Sequence, residues 1–133
     1  MNKEEKVPSL GTESSSTAYR YSLEAGVLLQ LDRDSKAIIR YHKPLSTKIL
    51  QIAQRNSGII VQEEYYKFRG ISNLYCVDYE FKLIWSAEQP DSHDVYINGF
   101  QDCGDYIACH SFGCYNCKIS PATGKILSMQ FTK

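Results

Sequence analysis

The stretch Ile119-Ser120-Pro121-Ala122-Thr123-Gly124-Lys125-Ile126-Leu127 decides how the rest of the chain is read. An apolar run ends at a hydroxyl side chain, Pro and Gly supply turn chemistry, and a lysine leads into a second apolar run. Pro presets φ for a turn and Gly tolerates positive φ, so the segment joins two strands. The same grammar occurs twice upstream. Leu28-Leu29-Gln30-Leu31-Asp32 is followed, three residues later, by Lys36-Ala37-Ile38-Ile39, and Leu74-Tyr75-Cys76-Val77-Asp78 by Lys82-Leu83-Ile84-Trp85. Tyr115 to Ser120, leading to Lys125, is the third copy.

Short β-branched and aromatic runs extend this pattern in both directions. They predict strands at Val27–Leu31, Ala37–Tyr41, Lys48–Ala53, Ile59–Glu63, Leu74–Val77, Leu83–Ser86, Val95–Gly99, Tyr106–His110, Tyr115–Ile119 and Lys125–Met129. Turn residues at 33–35, 55–58, 102–105, 111–113 and 121–124 separate many of them. The 10 Tyr and 5 Phe in the chain suit pleated, half-buried surfaces. The one helical competitor is 44–55, where Pro44 opens a segment with Ile49, Leu50, Ile52 and Ala53 on one stripe. The expected fold class is all-β, an antiparallel meander of about ten short strands. At 133 residues the chain holds one domain. Residues 1–17, polar and Ser-rich, read as a flexible arm before a β domain over 18–133.

A further hairpin precedes the second and third copies, with Gly58 inside 49–63 and Gly104 inside 95–110. The repeats fall near 26–42, 48–87 and 94–131, a period a little over 40 residues. A four-stranded unit of that period, with a Pro-x-x-Gly or Asp turn and a Lys-apolar-apolar strand, resembles the blade repeat of quinoprotein-type β-propellers. The resemblance covers roughly residues 26–131 and about two and a half blades. Closed propellers take at least four. The expectation is therefore blade-like repeats collapsed into a twisted sandwich or an open sheet stack. No residue matches that family's quinone or metal ligands, so no cofactor is expected.

Lysine plus arginine and aspartate plus glutamate both number 15, and this neutral balance disfavours direct binding to nucleic acid or to an anionic membrane. No run approaches the 18 apolar residues of a membrane span, and no secretory signal is visible, so a cytoplasmic location is expected. The zero conceals a pattern. Residues 19–58 carry seven basic and three acidic groups, 63–105 nine acidic and three basic, and the rest is basic. Aromatics among the acids have the composition of an interface hot spot. The candidate partner-binding set is Glu63, Glu64, Tyr65, Tyr66, Phe68, Asp78, Tyr79, Glu80, Asp91 and Asp94, with Phe81 alongside. Glu63-Glu64 reads as a solvated edge and not an acid/base pair, because strand neighbours diverge.

Five cysteines complete the inventory. Cys103, Cys109, Cys114 and Cys117 could form a zinc set, and Cys114-Tyr-Asn-Cys117 a redox pair. The competing reading makes them small buried hydrophobes, with Cys76 at the same repeat position as Cys117. No nucleophile elbow, phosphate loop or metalloprotease motif is present, so no enzyme is expected. By type, the chain resembles small bacterial immunity proteins of contact-dependent toxin systems. That implies a non-catalytic protein, monomeric or weakly oligomeric when free, that occludes a basic toxin domain such as a nuclease. Alternatives are a partial propeller that completes its sheets by oligomerising, and a zinc-binding domain.

Overall fold

The computed structural model describes residues 18–66 and 71–132; the expected arm over 1–17 lies outside them. From Tyr19 onward every element among the described residues is a strand. β1 (Tyr19–Glu24), β2 (Val27–Asp32) and β3 (Ile38–His42) form the first sheet. β4 (Ile49–Arg55), β5 (Gly58–Glu63), β6 (Leu74–Val77) and β7 (Leu83–Ser86) form the second. The third holds β8 (Tyr96–Asp102), β9 (Ile107–Ser111), β10 (Tyr115–Ile119) and β11 (Ile126–Phe131). Each sheet is an antiparallel meander in chain order.

All ten expected strands are present, with an eleventh, β1, ahead of them. β1 pairs with β2 along its whole length, from Tyr19 opposite Asp32 to Glu24 opposite Val27. The helical reading of 44–55 is overturned. Residues 49–55 are a strand because β5 offers them a ladder from Glu63 back to Gly58, whereas a helix there would leave β5 without that partner.

The second sheet sits between the other two. β5 and β6 are buried at every position. Alternate residues serve opposite faces. Ile59, Val61, Tyr75 and Val77 pack with Leu28 and Ile49, against Tyr21 and Leu23 of the first sheet. Ile60, Leu74, Cys76 and Trp85 pack with Tyr96, Phe100, Ile107, Cys109, Cys117 and Ile119 towards the third sheet. The arrangement is thus a stack of open sheets. Each large apolar side chain so buried contributes roughly 1.5–3 kcal/mol.

Polar side chains stitch the sheets together. Between the second and third, Gln51 on β4 acts as a strand partner for β8. Its Nε2 donates to Phe100 O at 2.7 Å, and its Oε1 accepts from Phe100 N at 2.8 Å. The ladder of β8 is interrupted here by a bulge, with Asn98 and Gly99 both at positive φ. Glycine suits the positive φ at 99, and a Cβ there would lie 2.8 Å from Gln51 Oε1 and displace the amide from Phe100. Asn73 donates to Glu63 O and Tyr96 O and accepts from Tyr96 N. Between the first and second sheets, the carboxylate of Glu63 collects four donors: the backbone N–H groups of Leu45, Ser46 and Thr47, and the hydroxyl of Tyr75.

The repeat seen in the sequence is a repeated turn. Asp32 N donates to Ala37 O, Asp78 N to Lys82 O and Ser120 N to Lys125 O, each at 2.8 Å. The side chains of Asp32, Asp78 and Ser120 each accept from two backbone N–H groups of their own turn. Gly124 closes the third turn at φ 78°, and a Cβ there would sit 2.6 Å from the Trp85 ring. These turns correct the alignment by one residue. Cys117 is equivalent to Tyr75 and Leu29, not to Cys76.

Glu63→Gln should place an NH₂ group among donors and lower stability by about 3 kcal/mol, read from the urea midpoint at unchanged slope.

Candidate interaction surface

Antiparallel pairing brings the connections after β3, β5, β7 and β9 to one end of the stack. Three contacts join them. The carboxylate of Glu63 binds the 45–47 segment. Asp94 Oδ1 accepts from Gly113 N at 2.9 Å, and Phe112 N donates to Val95 O at 2.8 Å. Tyr65 lies against Phe112 with ring centroids 6.0 Å apart. Leu45, Tyr66 and Ile71, in connections at the same end, are also exposed, and Phe112 is the most open at 65%. The backbone at 45–47 and at Phe112–Gly113 is pinned while the rings face solvent. Such an arrangement suits docking, because little order remains to be imposed on binding.

The structure divides the sequence-derived partner set. Tyr65 and Tyr66 are exposed at this end, with Glu64 half-buried beside them and Asp91 exposed on the 87–95 connection. Glu63 and Asp94 belong to the same end but are buried; both oxygens of Glu63 and Oδ1 of Asp94 accept from backbone N–H groups. Phe68 lies outside the described residues. Asp78, Tyr79 and Glu80 follow β6, beyond Val77, which pairs with Ile59 near the start of β5. They are about 20 Å from Glu64, the length of β5. Asp78 is the acceptor of its own turn. Tyr79 and Phe81 face the first sheet and pack against Tyr21, the first tilted and the second edge-on, and Tyr79 donates to Arg55 O. The acidic middle of the sequence therefore does not make one face. Phe112 was missing from the set; its signal was a lone large aromatic in a Ser-Phe-Gly turn.

Near this end, His42 Nε2 lies 2.8 Å from the Tyr75 hydroxyl. Tyr75 gives its one proton to Glu63, so Nε2 of His42 carries the proton of that bond. The Tyr75 hydroxyl is pushed well above the ordinary phenol range by burial and by Glu63. Burial holds the His42 imidazole below its ordinary range, against the attraction of Glu63 for the charged form. The folded chain thus prefers neutral His42. The stability this supplies is present above the unfolded imidazole value and is lost as pH falls through the folded one. The urea midpoint should drop between about pH 7.5 and pH 5, and less steeply for His42→Gln.

The cysteines do not converge. Cys76, Cys109 and Cys117 lie in the core between the second and third sheets, Cys109 opposite Cys117 across the β9–β10 ladder. Cys103 and Cys114 sit in the turns at opposite ends of β9. Cys114 is at φ 72° and its Sγ points to Phe112 O. Among the described residues no three metal-ligating side chains share a site. The zinc reading fails because Cys103 and Cys114 are held apart by the length of a strand. Burial raises the thiols of Cys76, to about 11, and of Cys109 and Cys117. A thiol-specific disulfide reagent should titrate Cys103 and Cys114 in the native protein, and all five cysteines only after denaturation.

An open groove of ≈ 930 Å³ crosses the third sheet, lined in part by Tyr106, His110, Asn116 and Lys118. His110 Nδ1 lies 2.7 Å from Asn116 Oδ1, and Lys118 Nζ 4.7 Å from the Tyr106 ring centroid. These four side chains are thus occupied with one another in two pairs.

The architecture has a counterpart among solved structures. The chain is similar to the crystal structure of BamB from Moraxella catarrhalis, with a TM-score of 0.53 and 12% identity over 86% of this chain and 33% of that one. The fold is propeller-like. At that identity the likeness concerns fold alone, and the chain spans about a third of the length of the structure it matches. The innermost strands β1, β4 and β8 touch in sequence, as blades touch at a propeller axis. No family model matches the chain, and no curated protein does. Among the described residues no helix is long and apolar enough to cross a membrane.

Proposed function

We propose that this chain is a non-catalytic protein-binding module that docks through the rim bearing Tyr65, Tyr66 and Phe112. The observation that carries the reading is the Tyr65–Phe112 pair. Two exposed rings from different sheets are held together over backbone fixed by Asp94 and Val95. Aromatic anchors on a braced surface are where binding energy concentrates. Glu64 and Asp91, in connections at the same end, carry negative charge, which favours a basic partner and speeds its approach.

The finer form of the proposal is an immunity protein acting in the cytoplasm, with a basic toxin domain as its partner. The rings would fill the mouth of the toxin site, and Glu64 and Asp91 would face groups that otherwise meet substrate phosphates. Glu63 and Asp94 contribute by shaping the rim from within, not by contact.

The test uses a toxin domain encoded next to this chain, titrated by calorimetry and stopped flow. Tyr65→Ala with Phe112→Ala should weaken binding by at least 2 kcal/mol in sum while leaving the urea midpoint nearly unchanged. Glu64→Lys with Asp91→Lys should slow association about tenfold at low salt, with little effect on dissociation. Binding that survives both double variants would refute docking through this rim.

A further inference from the structure

The two terminal sheets of the stack present opposite chemistry. The shared turn signature sets Asp32, Asp78 and Ser120 in register. Counting back from them, Leu31, Val77 and Ile119 are equivalent, as are Leu29, Tyr75 and Cys117. In the second and third sheets these positions face the preceding sheet and are buried: Tyr75 and Ile119 at 0% exposure, Val77 at 1% and Cys117 at 2%. In the first sheet the same positions face outward, because Leu28 and Gln30 point towards the second sheet. Tyr41 lies beside Leu29 and Ile38 beside Leu31, and both β3 residues are more than half exposed. This face is thus built like the two that receive a sheet.

The far end differs. The positions of the third sheet that face away from the second carry Asn116 and Lys118, with His110 and Gln130 beside Asn116, and Ala108 and Ser128 beside Lys118. Their equivalents in the second sheet are Leu74 and Cys76, both buried. A polar outer surface is how stacked repeats end. A head-to-tail contact would set Leu29 and Leu31 on Lys118 and Asn116, leaving an ammonium and an amide desolvated.

The first face is instead complementary to itself. On β1, Arg20 lies beside Leu31, Ser22 beside Leu29 and Glu24 beside Val27. A two-fold axis running across the strands at the Ser22–Leu29–Tyr41 row lays Leu29 on its own copy and Leu31 on Val27. It also brings Arg20 of each protomer opposite Glu24 of the other. We propose that this chain pairs face to face with a second copy through the outer face of its first sheet, about that two-fold. The face is only about 14 Å by 20 Å, three strands wide, so the pairing is weak and reversible. It lies on a surface separate from the Tyr65–Phe112 rim, and leaves that rim free in both protomers.

Sedimentation velocity of the full chain, from about 10 µM to about 1 mM, tests it. The weight-average coefficient should rise towards that of a dimer. Leu29→Glu should hold the chain monomeric throughout. Arg20→Glu and Glu24→Arg should each weaken association about tenfold, and the two together should restore it to within about threefold. The swaps are at exposed positions and decide the matter even if Leu29→Glu fails to fold. A monomer at every concentration would overturn the proposal, whether the face stays open or is covered by the chain's own residues 1–17. A dimer indifferent to all these changes would overturn it as well, since it would use another surface.

Discussion

The rest of this structure depends on two central strands that have no solvent face. A sheet covered on one side only alternates buried and open positions, and β9 does so, with Ile107, Cys109 and Ser111 inward. β5 and β6 cannot, because both of their faces are core. Gln62 and Glu63 are on those buried strands, so the partners they have are internal. Gln62 donates to Tyr96 O on one side, and Glu63 gathers the 45–47 segment on the other. Apolar packing holds the stack together, while these polar residues fix which segment docks where.

This division explains what could be read from the sequence. Strands are set by local pattern and by turn residues, so the hairpins around Asp32, Asp78 and Ser120 were visible from spacing alone. β1 was missed although Tyr19-Arg20-Tyr21-Ser22-Leu23-Glu24 alternates, because no copy of the repeat pointed to it. The helical stripe at 49–53 was a coincidence of four apolar residues that the pairing with β5 overrode.

The candidate site was legible only in part, for a different reason. Sequence proximity groups Glu63, Glu64, Asp78, Glu80, Asp91 and Asp94 into one acidic block. Antiparallel folding sends Asp78 and Glu80 to one end of β5 and Glu64 and Asp91 to the other. Burial then withdraws Glu63 and Asp94. What remains exposed at the rim is set by which loops the cross-sheet bonds brace, and Phe112 belongs there because Val95 and Asp94 hold its turn. The cysteines illustrate the same limit: spacing suggested convergence, and a single strand between Cys103 and Cys114 prevents it.

The amide of Gln51 has a kinetic meaning as well as a structural one. Within each sheet, neighbouring strands close short loops, and such contacts form early. The bonds between Gln51 and Phe100 join residues 49 apart in the chain and exist only once the third sheet has met the second. The Phe100 N–H therefore reports docking of one sheet on another, whereas the ladder amides on either side of the bulge report a sheet's own integrity. Where the first exchanges with solvent faster than the second, the third sheet is swinging free as a folded unit, and the cooperative element of this fold is the blade and not the chain.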